Sequence, residues 1–146
     1  MTLRIGLGLV LVLVVAVIAF IAERRRSGRA VISGHDVPEQ IDRNDFGAPD
    51  ADWLVVLFSS ADCGSCETMR ERVTALGADD VAVYDVEFGA GRAVHERYGI
   101  TAVPTTVMVD REGVVRASWV GAVDDSELAD ALGALRDGQE MWSGGE

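Results

Sequence analysis

One junction restricts this chain more than any other feature. An apolar run, Trp53-Leu54-Val55-Val56-Leu57-Phe58-Ser59, is followed four residues later by Cys63-Gly64-Ser65-Cys66. An unbroken apolar run of strand length, rich in Val and aromatics, is the pattern of a strand buried on both faces. Beyond it, Cys66, Met69, Val73 and Leu76 recur at three- and four-residue steps, so an amphipathic helix is expected over 63–76. Asp62 or Ser60 is placed to cap its start and Gly77 to end it. The two cysteines therefore sit at a strand–turn–helix transition.

That context gives the pair its meaning. A thiol at a helix N-terminus meets free N–H groups and the positive end of the helix dipole, both of which stabilise a thiolate. Cys63 is the better-placed nucleophile. Cys66, one turn further in and on the apolar side, is placed to resolve a mixed disulfide. Gly64 and Ser65 allow the tight bend between them. The chain has no other cysteine, so a disulfide-rich scaffold is excluded. His35 and His95 are the only histidines, and neither has metal-site spacing to the cysteines. No metal or other cofactor is expected. The competing reading of the pair is two core cysteines or half a zinc site.

Alternation continues downstream. Strands are expected over 81–86, 105–109 and 114–120, with helices over 92–98 and 124–136. Asp110-Arg111-Glu112-Gly113 reads as a hairpin loop between the last two strands. Gly99 stops the short helix. Asp124 or Ser126 caps the last one, whose face carries Leu128, Leu132 and Leu135. The order β-α-β-α-β-β-α implies parallel crossover units plus an antiparallel hairpin. The fold class is α/β: a mixed central sheet flanked by helices. His95 reads as a surface residue, Trp53, Trp119 and Trp142 as core or tail aromatics, and Glu67, Arg70 and Glu71 as a solvated helix face. Gly89-Ala90-Gly91 lacks the spacing of a phosphate loop.

The N-terminal region is of another kind. Residues 5–22 (IGLGLVLVLVVAVIAFIA) carry no charge over 18 positions. As a helix they span about 27 Å, enough to cross a hydrocarbon core of about 30 Å. The run exceeds a usual signal-peptide core, and Phe20-Ile21-Ala22 is a poor cleavage site, so an uncleaved anchor is expected. Arg24, Arg25, Arg26 and Arg29 flank it on the C-terminal side, against Arg4 on the other. The positive-inside rule then places the following domain in the cytoplasm. The organisation expected is an anchor over 1–26, a linker with a first short strand over 27–50, the α/β domain over 51–137 and a flexible tail over 138–146. Within the linker, a strand at 37–41 and a turn near 43–46 fit the residues.

Charge is uneven. All 13 basic residues are Arg, and residues 38–146 hold eight of them against 22 acidic residues, about −14. Such a domain repels nucleic acid and anionic headgroups. The surplus serves solubility, or steering toward a basic partner.

Taken together, these residues resemble the thioredoxin superfamily over about 50–136. The resemblance rests on Cys63-Gly64-Ser65-Cys66, on Tyr98-Gly99-Ile100-Thr101-Ala102-Val103-Pro104-Thr105, and on Val120-Gly121 before the last helix. It implies a thioredoxin-like sheet and a cis peptide before Pro104. It further implies that Val103, Pro104 and Gly121 line a groove for the backbone of a protein substrate. It implies a membrane-anchored thiol–disulfide oxidoreductase acting on a protein partner, with Cys63 attacking and Cys66 resolving. Many anchored members face outward, against the local Arg pattern. The chain departs from the family at Asp62, where Trp is usual, and at Gly64-Ser65, where Gly-Pro is common. Asp62 puts a negative charge beside Cys63, which disfavours its thiolate. The family's buried acid falls at Leu57 and its partner lysine near Asp85, which could supply a substitute acid. The alternative reading is a non-catalytic thioredoxin-like interaction module at the membrane.

Overall fold

A computed structural model describes residues 37–47 and 50–138. The chain divides into units at residues 30 and 31, and all described residues belong to the second. The expected anchor, most of the linker, His35, Trp142 and the tail beyond Gly138 lie outside the described residues. Within them, no helix is long and apolar enough to cross a membrane.

Four strands form one sheet: β1 (Trp53–Ser59), β2 (Val81–Glu87), β3 (Thr105–Val109) and β4 (Val115–Val120), in the order β2-β1-β3-β4. β1 runs parallel to β2 and antiparallel to β3, and β3 is antiparallel to β4. Three helices complete the order: α1 (Cys66–Thr74), α2 (Phe88–Arg97) and α3 (Asp125–Arg136). The mixed sheet and the element order match the sequence expectation.

Alternation along β1 divides the core. Val55 and Leu57 face α1 and α3, joining Met69, Val73, Leu128 and Leu132 in one apolar cluster. Leu54, Val56 and Phe58 face the other way, with Val86, Val107, Val94 and Tyr98. Six of the seven β1 residues are buried, which is why the run reads as apolar throughout rather than alternating. Trp53 and Trp119 pack against the first cluster.

Three local expectations are corrected. Helix α1 begins at Cys66, not at Cys63, and its N-cap is Ser65, whose side chain makes no capping hydrogen bond. Ser60 and Asp62 are instead used inside the preceding turn, where Ser60 Oγ accepts the Asp62 N–H. Helix α2 begins at Phe88, four residues ahead of the expected start, because the Glu87 side chain caps it. Part of the segment read as linker packs into the domain: the strand expected over 37–41 is reduced to a single bridge from Gln40 to Val114, while a 3-10 turn over Arg43–Phe46 forms where a turn was expected and buries Phe46 and, unexpectedly for a charged residue, Arg43. The Arg43 guanidinium donates to the carbonyls of Asp110 and Ala51.

Candidate functional site

The sheet register gathers the candidate residues. Phe58 of β1 lies beside Thr105 of β3, and Thr105 beside Val120 of β4. The loop after β1, the loop before β3 and the loop after β4 therefore meet at one end of the sheet. They carry, respectively, Cys63 and Cys66, Val103 and Pro104, and Gly121.

Cys63 and Cys66 form a disulfide with a Cα–Cα separation of 5.4 Å. The turn that presents them is held by the backbone: Cys63 N–H donates to Ser60 O and Cys66 N–H to Cys63 O, both at 3.2 Å. Cys63 is half-buried, whereas Cys66 is 1% exposed. Of the two cysteines, Cys63 is thus the one accessible from outside. Ser65 Oγ lies 3.8 Å from Cys63 Sγ.

The Val103–Pro104 peptide is cis. Pro104 is buried and Val103 half-buried. Gly121 N–H donates to Pro104 O at 2.7 Å, which ties the loop after β4 to the proline. Gly121 has φ +95°, a conformation that disfavours any side chain, and open space where a Cβ would stand. Helix α1 braces the same loop. Met69 Sδ accepts the Val123 N–H at 3.4 Å, and Arg72 donates to Val123 O. The helix that begins at Cys66 thus holds both backbone polar groups of one residue, Val123, in the neighbouring loop.

The expected acid site is rearranged. Leu57, fully buried, pairs in register with Asp85. Asp85 accepts the Ser59 hydroxyl at 2.6 Å with one oxygen and Arg70 Nε at 2.6 Å with the other. Both oxygens of its carboxylate are thus engaged by donors from β1 and α1. Arg70, expected on a plain solvated face, instead ties α1 to β2 and also contacts Glu67. These hydrogen bonds and the neighbouring carboxylates push the Arg70 guanidinium further toward its charged form.

His95 is not a surface residue. It is 1% exposed, its Nε2 lies 2.9 Å from Val86 O, and its ring meets Phe58 and Phe88 edge to face. It is a satisfied core histidine. Sequence reasoning missed Glu87, which accepts the Ala61 N–H at 3.2 Å and the Ala90 N–H at 3.1 Å. Accepting backbone N–H groups, that of Gly89 foremost, holds its carboxyl below the usual range. The available signal was its place at the end of a strand immediately before a helix.

A thioredoxin-like domain family matches residues 44–136. Among curated proteins no relative matches. Solved thioredoxins superpose on the chain. The oxidised mitochondrial thioredoxin 3 of Saccharomyces cerevisiae is 25% identical, with TM-score 0.51, over 62% of this chain and 84% of its own. A mutant thioredoxin from Halobacterium salinarum is 24% identical, with TM-score 0.55, over 76% of this chain and all of its own. The germline-specific thioredoxin Deadhead of Drosophila melanogaster is 23% identical, with TM-score 0.54, over 68% and 98%. A disulfide-bonded pair on this fold fits a redox function. By sheet order, disulfide position and family match, the chain belongs to the thioredoxin superfamily.

Proposed function

We propose that the protein is a membrane-anchored thiol–disulfide oxidoreductase acting on a protein partner. The unequal exposure of the two cysteines carries this reading. In the reducing direction, the Cys63 thiolate attacks one sulfur of a partner disulfide. A mixed disulfide forms and the partner's other sulfur leaves as a thiolate. The Cys66 thiolate then attacks Cys63 Sγ, which releases the partner's second thiolate and leaves the Cys63–Cys66 disulfide. A thiol donor must return that disulfide to the dithiol, and an oxidising role runs the same steps backward. Val103, Pro104 and Gly121 form the groove that aligns the partner's backbone.

Insulin reduction by the full chain in detergent, with dithiothreitol as donor, tests the chemistry. Turnover that disappears in Cys63→Ser is the expected result. Equal rates for both proteins would leave the interaction-module reading in its place. For the anchor, residues 5–22 span the membrane once and the flanking Arg residues hold the domain in the cytoplasm. A C-terminal alkaline phosphatase fusion is expected to be inactive, and strong activity would place the domain outside.

A further inference from the structure

Glu87 ends β2 in register with Ser59, the end of β1. One of its carboxylate oxygens accepts the Ala90 N–H and caps α2. The other accepts the Ala61 N–H, two residues ahead of Cys63. A helix cap needs only one acceptor. The second bond joins the segment leading into the dithiol to the start of a different helix, across the end of the sheet. Gly89 sits tightly against this clasp: a Cβ there would stand 2.9 Å from Glu87 Oε2.

We propose that Glu87 is a positioning residue for the dithiol, one that favours the disulfide form and disfavours the Cys63 thiolate. The proposal rests on Cys63 being the attacking thiol. Two effects act in the same direction. The clasp fixes the entry to the Cys63 turn in the geometry that the disulfide occupies. The carboxylate also uses an N–H close to Cys63 and places a negative charge near it. Ala61 and Cys63 are two residues apart, so their Cα atoms are at most about 7.6 Å apart. The carboxylate is bonded to the Ala61 N–H on the segment leading into Cys63, so its charge acts on the sulfur at short sequence range and is screened in part by salt. Removing it makes the dithiol easier to keep reduced and the protein more oxidising.

The test is the dithiol–disulfide equilibrium of the full chain in detergent, measured in glutathione buffers by thiol counting. Wild type is compared with Glu87→Gln, Glu87→Ala and Glu87→Asp, and thermal unfolding is followed in both redox states. The equilibrium is expected to move toward the dithiol by about threefold to tenfold in Glu87→Gln and further in Glu87→Ala. Glu87→Asp, which keeps the charge, is expected nearer to wild type. A merely structural cap would destabilise both redox states alike. An unmoved equilibrium, or one displaced toward the disulfide, overturns the proposal. Absence of insulin turnover in wild type would instead strike the oxidoreductase reading, and the glutathione equilibrium would still decide the role of Glu87.

Discussion

Cys63 and Cys66 are three residues apart, yet one is half-buried and the other almost fully enclosed. Leu57 and Thr106 on the neighbouring strands are paired in register and both fully buried. Thr106 Oγ1 has no hydrogen-bond partner among the described residues. An unsatisfied buried hydroxyl is unfavourable, so Thr106→Val is expected to stabilise the fold by about 0.5–1.5 kcal/mol. A raised urea midpoint with an unchanged slope would show it. His95 is the opposite case, since it fills space between two rings and bonds a buried carbonyl. His95→Ala is expected to destabilise by about 2–4 kcal/mol, read from the same titration. The cysteines and Pro104 were legible because their spacing carries chemistry. His95 was not, because its burial depends on Phe58, a residue 37 positions away that only the sheet brings near.

At the scale of elements, β1 and β3 were legible to the residue, as their apolar runs end where the strands end. Helix α2 was not. Gly89 and Gly91 weaken the helical pattern, and the helix carries non-helical angles at Gly91. A Cβ at Gly91 would stand 2.4 Å from Val86 Cγ1, so close packing against β2 explains the glycine. The docking of residues 40–47 was equally hidden, because its anchors are distant in sequence. Ile41 N–H donates to Gly113 O at 2.8 Å. Gly113 has φ +84°, and a Cβ there would stand 2.3 Å from Ile41 O. Gly113→Ala combines backbone strain with that clash and is expected to cost about 2–4 kcal/mol, measured by thermal unfolding.

For the molecule as a whole, the pattern of alternating strands and helices specified the α/β class and the mixed sheet, while the charge balance specified an acidic domain. Its response to pH follows from identified groups. Asp42, Asp80 and Glu87 have carboxyls held below their ordinary values, by the Asn44 N–H, the Arg136 guanidinium and backbone N–H groups respectively. Their contribution is complete above the usual carboxylate range and is lost as pH falls through the lowered values. Tyr98 is shifted upward by burial and by its bond to Asp45, so its contribution is lost as pH rises above about 10. Thermal stability is therefore expected to fall as pH drops below about 4, even though protonation relieves the repulsion among surplus acids.

The central claim is that Cys63 attacks and Cys66 resolves. The most direct measurement is covalent trapping on a disulfide-containing model peptide, using full-length Cys66→Ser and Cys63→Ser variants resolved by non-reducing mass analysis. The account predicts that Cys66→Ser accumulates a stable mixed disulfide through Cys63 and that Cys63→Ser does not. Trapping through Cys66 alone, or no adduct with either variant, would contradict it.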